Sequence, residues 1–190
     1  MNEFEDFFTI GPLSIDISKT KLDGRILDLG GGGEGVIGLF KGNKVVAIDK
    51  NKRELEEAPS FEDLKIVMDA IDLKFLDKMF ETVTTFFTLM YIPKQNHRKV
   101  FQEVKRVLKK DGEFVLWDVK IPNRSGDKRN KFLIWLEIKI NDKIIETGYG
   151  SKWDKVQDIK YFSNLGKSVG FEIIDSKEEE NTFYLRFRKN

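Results

Sequence analysis

Residues 25–35, RILDLGGGGEG, carry the strongest chemical signal in the chain. An apolar run entering glycines and then a helical stretch lets backbone N–H groups approach a ligand with no Cβ in the way. Gly30, Gly32 and Gly35 fit the G-x-G-x-x-G spacing of dinucleotide sites, and Asp49 ends the next apolar run 19 residues after Gly30. That pattern specifies a nucleotide-like cofactor without saying which. Asp28 before the glycines and Glu34 among them would oppose a pyrophosphate. The same carboxylates attract a ligand bearing an ammonium and a sulfonium, and S-adenosylmethionine bears both. Asp49 suits either cofactor, because a carboxylate there accepts hydrogen bonds from both ribose hydroxyls.

The surrounding pattern supplies elements to position these groups. Runs at 25–29, 44–48, 64–67, 82–87 and 113–117 are rich in Val, Ile, Leu and Phe and read as buried strands. Between them, 34–40, 52–58 and 96–108 read as helices, the last with Val100, Val104, Val107 and Leu108 at helical spacing. This βαβ rhythm predicts a parallel sheet covered by helices on both faces. The last third departs from it. Residues 131–140 and 143–149, separated by Asn141 and Asp142, read as a hairpin, and 154–169 as a helix with Val156, Ile159, Phe162 and Leu165 inward and Gly170 as its stop. Strands at 171–175 and 182–187 follow, joined by an acidic turn. No role is assigned to the first ~20 residues.

Composition removes several chemistries. With no cysteine in 190 residues there are no disulfides, Cys-ligated metals or thiolate nucleophiles, and no metal-ligand cluster is evident near Asp118 or Glu179. Against 33 Lys and Arg stand 32 Asp and Glu, so a net charge of +1 provides no global attraction for nucleic acid or membrane. No apolar run approaches a membrane span, and the acidic start is unlike a signal peptide, so the expected location is cytoplasmic.

Taken in order, these segments resemble the class I S-adenosylmethionine-dependent methyltransferases, especially the small-molecule branch that includes quinone-biosynthesis enzymes, over roughly residues 24–187. LDLGGG at 27–32 is similar to that family's D-x-G-x-G loop, VAID at 46–49 to its ribose-binding strand end, and Asp69-Ala70 to its adenine-side motif. Residues 71–83 follow its D-A-x-x-L-P-F-x-D-x-x-F-D-V-V run, with Lys74 replacing Pro and Glu81 replacing Asp. LMYIP at 89–93 and VLKKDG at 107–112 resemble the segments flanking its fifth helix. The resemblance implies a three-layer α/β sandwich with a Rossmann-like, mostly parallel seven-stranded sheet and a C-terminal antiparallel hairpin. Residues 1–190 would form one domain, with a β-hairpin insertion at about 120–152. By the same resemblance, Asp28 and the backbone of Gly30, Gly31 and Gly32 hold the methionine portion, Asp49 binds the ribose, Asp69 accepts from the adenine amino group, and the Ala70 N–H donates. As plain structural residues, Asp49 would cap a helix and Asp69 would form a turn.

The acceptor is less legible. A cofactor with a good leaving group requires alignment and exclusion of water more than a dedicated acid or base, so no catalytic residue is assigned beyond Tyr91 as a candidate. The absence of cysteine excludes thiolate-dependent pyrimidine methylation, and TTFF at 84–87 lacks the Asn/Asp-Pro-Pro-aromatic mark of base amino-group methylation. His97 is expected at a solvated helix start, and Met90 stands where many relatives have His. Tyr91, Trp135 and Tyr149 are the expected pocket residues, the latter two on a segment at 120–149 that would serve as a lid, a structural hairpin or a dimer contact. Glu34 is expected to point to solvent. Lys120, Arg124, Lys128, Arg129 and Lys131 against Asp127 make that segment locally +4, a solvated face or an RNA footprint. The function expected is methyl transfer to a small-molecule acceptor by a monomer or homodimer. The alternatives are an RNA or protein methyltransferase, a non-catalytic cofactor-binding protein, or a nicotinamide dehydrogenase.

Overall fold

Four consecutive apolar-rich positions, Ile26–Leu29, are all buried, which suits a strand covered on both faces. In the computed structural model, which describes residues 6–190, this strand is β2, at the centre of the main sheet. In chain order the elements are β1 (Phe7–Asp16), β2 (Ile26–Leu29), α1 (Val36–Lys41), β3 (Val45–Asp49), α2 (Lys52–Glu57), β4 (Leu64–Val67), β5 (Phe80–Phe86), α3 (His97–Val107), β6 (Leu108–Val119), β7 (Lys131–Ile140), β8 (Lys143–Lys152), α4 (Ile159–Val169), β9 (Phe171–Glu178) and β10 (Thr182–Lys189).

The main sheet runs β4-β3-β2-β5-β6-β10-β9. Its first five strands pair in parallel, and β10 is antiparallel to both β6 and β9. This is the seven-stranded sheet with a C-terminal hairpin that the resemblance implies. Alternation sorts its side chains between two cores. Leu27, Phe114 and Leu116 join Phe101 of α3 and Phe162 of α4 on one face, whereas Ile26, Val115 and Trp117 join Val36 and Ile37 of α1 on the other.

The second face differs from the expectation of helical cover. There α1 shares the space with a three-stranded sheet, β1-β7-β8, whose Phe132, Ile134, Leu136, Ile138 and Ile140 are buried in the same cluster. The expected 131–140/143–149 hairpin is real, and it gains β1 as a parallel partner of β7. Strand β1 escaped detection because its alternation changes phase. Phe8 and Ile10 pack inward at even positions and Leu13 and Ile15 at odd ones, the register slipping between Ile10 and Leu13 around Gly11-Pro12.

The last helix also begins later than its apolar spacing suggests. Asp158 caps it by accepting from the Tyr161 N–H at 2.7 Å, and Gln157 forms an isolated bridge with Ile121. Val156, expected inward, is therefore exposed. Within α4, Gly166 lies against β10: a Cβ there would stand 2.3 Å from Phe187, a fully buried ring. Ala in an open helix gains up to about 1 kcal/mol over Gly. Here Gly166→Ala is expected to destabilise by about 1–3 kcal/mol through overpacking, read as a lower midpoint in urea unfolding; an unchanged or higher midpoint would refute the tight α4–β10 contact.

Candidate functional site

From β2 the chain moves outward through β3 to β4, then returns to β5 on the other side of β2, so strand order reverses between β2 and β5. Loops leaving such a switch point diverge and open a crevice at the carboxyl ends of the strands. A cavity of about 510 Å³ lies there, lined by Gly30, Gly32 and Glu34 after β2, Ile48 and Asp49 at the end of β3, Asp69 and Ala70 after β4, and Phe86 to Thr88 after β5. Its size lies within the range of small-ligand pockets.

The glycine loop is held by its backbone. Gly30 N–H and Gly31 N–H both donate to the Ile48 carbonyl, at 2.8 and 3.0 Å, and Gly33 N–H donates to the Glu54 carbonyl at 3.0 Å. Gly30 has φ +74°, and a Cβ there would lie 2.4 Å from the Thr88 side chain, so both conformation and space require glycine. Asp28 and Gly31, expected as cofactor contacts, are not on the cavity wall. Asp28 is buried beneath the loop, its Oδ1 accepting from Thr84 Oγ1 at 2.7 Å and its Oδ2 below Gly31. Burial pushes this carboxyl up to about 7, with the charges of Asp63 and Asp49 adding to the effect.

Asp49 does line the cavity. Its Oδ1 accepts from Asn51 N–H at 2.8 Å, while the cap of α2 is Asn51 itself, so helix capping is not what Asp49 does. Asp69 Oδ1 accepts from Ile71 N–H at 3.1 Å in the expected turn, with Ala70 also on the wall.

The opposite wall is aromatic. Tyr149 stacks on Phe87 with centroids 5.6 Å apart and donates its hydroxyl to Glu34 Oε2 at 2.8 Å. Thr147, two residues earlier on the same face of β8, donates to the other Glu34 oxygen. Glu34 is thus turned toward the added sheet and the cavity, not toward solvent. Its signal was present in the sequence: a carboxylate among glycines, and two hydroxyl residues at strand spacing. Phe87 itself adopts φ +51°, a costly conformation for a bulky residue, with its N–H donating to the Trp117 carbonyl at 2.9 Å. Tyr91 lines the mouth and remains 46% exposed. Trp135 is not on the wall. It occupies the outward phase of β7 opposite Gly148 and packs its ring over that glycine from outside the sheet.

Residues 27–116 match the family described as methyltransferase domain. The chain is 36% identical over 66 residues to the sterol 4-C-methyltransferase strm-1 of Caenorhabditis elegans, covering 35% of this chain and 19% of that one. It is 30% identical over 119 residues to the uncharacterized methyltransferase YcgJ of Bacillus subtilis, covering 58% and 46%. It therefore spans less than half the length of either curated relative. A crystal structure of an S-adenosylmethionine-dependent methyltransferase from Methanosarcina mazei superposes with a TM-score of 0.67 at 19% identity, covering 89% of this chain and 93% of that one. Residues 27–116 thus carry the methyltransferase-domain match, and the fold is one found in S-adenosylmethionine-dependent methyltransferases. None of these descriptions points to quinone biosynthesis.

The turn carrying Tyr91 is fastened from within. His97, expected at the surface, is fully buried. Its Nε2 lies 3.0 Å from both the Leu89 and Ile92 carbonyls, so Nε2 carries the proton, and Nδ1 accepts from Tyr161 O–H at 3.2 Å. The apolar ring neighbour Phe162 and helix α3 draw His97 inward, and burial lowers its pKa to about 4. Lys155 donates to the Met90 and Ile92 carbonyls at 2.7 and 2.8 Å. The basic segment is largely engaged as well: Lys120 pairs with Glu178, Arg129 pairs with Asp127 and lies over Phe8, and Lys131 lies over Phe7. No cluster of three metal-binding side chains occurs among the described residues.

Asp118, at the end of β6, is fully buried. Its Oδ1 accepts from Val119 N–H at 2.8 Å and Gln157 Nε2 at 2.9 Å, whereas Asp118 Oδ2 and Gln157 Oε1 are buried acceptors without a donor. A proton on Asp118 supplies the donor this site lacks, in keeping with burial pushing the carboxyl up to about 7. A folded-state pKa above the unfolded value contributes stability below about pH 4 that is lost as pH rises through 7. His97 works in the opposite sense, its contribution being lost as pH falls from 6.5 toward 4. Asp118→Asn keeps the acceptor and supplies a permanent donor. Relative to wild type it is expected to gain stability between pH 5 and 8, by about 3–4 kcal/mol at the upper end, in urea unfolding. A difference independent of pH would contradict a protonated Asp118.

Proposed function

We propose that this chain transfers a methyl group from S-adenosylmethionine to a small-molecule acceptor by in-line displacement. The observation that carries this reading is the meeting of the glycine loop, Asp49 and Asp69-Ala70 on one side of a cavity whose other side is aromatic. The donor set suits the cofactor. Its ammonium and sulfonium are compatible with carboxylate-rich walls, its ribose diol with Asp49, and its adenine edge with the Asp69 carboxylate and the Ala70 N–H. Gly30 and Gly32 leave backbone open to the methionine portion. Asp28 contributes from beneath, by supporting the loop at Gly31.

When bound, the cofactor supplies an activated methyl on a sulfonium leaving group. The protein's own residues bind, orient and exclude water. Phe87 and Tyr149 form a fixed wall, Tyr91 shapes the mouth, and Gly148 to Gly150 of β8 close the cavity from the added sheet. The whole chain then acts as one domain in which residues 120–152, together with β1, provide both core and acceptor wall.

An RNA acceptor is less compatible with this surface, because three cations of the basic segment are already paired or stacked and the cavity wall is acidic. We place the protein in the cytoplasm as a monomer or homodimer; no helix among the described residues is long and apolar enough to cross a membrane.

The ribose assignment is tested by calorimetry with S-adenosylhomocysteine. Asp49→Ala is expected to weaken binding by at least about tenfold, or ~1.4 kcal/mol. Wild-type affinity in that variant would refute the assignment.

A further inference from the structure

Resting on the methyl-transfer reading, a narrower statement about the acceptor follows from the charge of the cavity. Its wall carries four carboxylates, Glu34, Asp49, Glu54 and Asp69, against one lysine, Lys50, among the described residues. A cofactor whose ammonium and sulfonium outweigh its single carboxylate offsets this only in part. With Asp49 and Asp69 given to ribose and adenine, Glu34 is the carboxylate left beside the aromatic wall.

The partners of Glu34 are neutral. Tyr149 and Thr147 donate hydroxyl hydrogens to its two oxygens, which orients the carboxylate without cancelling its charge, and no cation lies in ion-pair contact with it among the described residues. Lys155, a cation behind the Tyr91 turn, spends its ammonium on the Met90 and Ile92 carbonyls. The phenols report the resulting field. Burial and then the charges of Glu34, Asp118 and Glu54 raise the Tyr91 pKa, and burial with Glu34 does the same for Tyr149. An incoming carboxylate or phosphate would meet this field in a partly desolvated space, where like charges repel far more than in water. A cation meets the reverse, on a wall that includes Phe87, Tyr149 and Tyr91.

We propose that the acceptor is a small molecule with an apolar or aromatic body and an amine that is cationic in solution, and that Glu34 selects it over acidic analogues. The Glu34–Tyr149–Thr147 contact is then a specificity determinant shared between the glycine loop and the added sheet.

The test uses the full chain and a matched set of probes: tyramine, 4-methylphenol and 4-hydroxyphenylacetate. Calorimetry first measures S-adenosylhomocysteine binding, and the probes are then titrated into the saturated complex. Tyramine is expected to bind at least about tenfold more tightly than 4-hydroxyphenylacetate, with 4-methylphenol between them. Raising salt from about 0.05 to 0.5 M should narrow that ratio in the wild-type protein, a readout that needs no variant. Glu34→Gln keeps an acceptor for the Tyr149 hydroxyl while removing the charge, and should reduce the ratio to below about threefold. Equal affinities, tighter binding of the acid, or binding of no probe to the saturated complex would overturn the inference. An unchanged ratio in a folded Glu34→Gln variant would overturn the role of Glu34. Failure of S-adenosylhomocysteine to bind would instead bring down the methyl-transfer reading, and this inference with it.

Discussion

Gly30 and Gly31 both donate to the Ile48 carbonyl, and Thr88 Oγ1 donates to the Leu29 carbonyl at 2.9 Å, so the turn after β2 is pinned to both strands that flank it. This close approach is the constraint on which the cavity depends. Strand order reverses at β2, and without these contacts the diverging loops after β3 and β5 would leave the glycine loop unsupported. Glycine is required at Gly30 because a side chain would occupy the volume of Thr88. Asp28 lies below the same turn, and its burial is tolerated because Thr84 donates to it and its charge is partly suppressed.

The second structural theme is the replacement of helical cover by a small sheet. A two-stranded hairpin in isolation would be marginal; here β1 adds a third strand, and the inner face of the small sheet shares one continuous apolar cluster with β2, β6 and α1. That packing places Thr147 and Tyr149 over Glu34, so the core contact and the site contact are made by alternate positions of one strand. Stability and cavity geometry are consequently linked: a change that shifts β8 on its core also moves an aromatic wall of the cavity.

The elements with strong local signals were legible. β2 and β3 announce themselves by buried apolar runs ending in Gly30 and Asp49, α3 by Val100, Val104 and Val107 on one face, and the β7–β8 hairpin by Asn141-Asp142. That Gly30, Gly32, Asp49, Asp69 and Ala70 meet at one cavity was legible for the same reason, since each lies at or just after the end of a recognisable strand. β1 was not, because a shift at Gly11-Pro12 interrupts its period, and a strand of mixed phase matches neither template. His97 was misplaced because Lys94, Gln95 and Arg98 around it are polar, and only the approach of α4 and the Leu89–Ile92 turn shows that the ring faces inward.

Trp135, Tyr149 and Glu34 mark the same boundary. Composition and local order identified an aromatic hairpin near a glycine loop, but which aromatic faces the cavity depends on the phase of β8 against β7, and a one-residue difference exchanges the two faces. The sequence by itself therefore determined the class of fold and the strand ends that gather around the cavity, since these rest on short-range periodicity and on glycine. The aromatic wall of the cavity, the burial of Asp118 and His97, and the turning of Glu34 from solvent to the cavity were decided by tertiary structure. Each depends on contacts between segments far apart in the chain, Glu34 with Tyr149 among them, and no local pattern encodes which side of a strand will be covered.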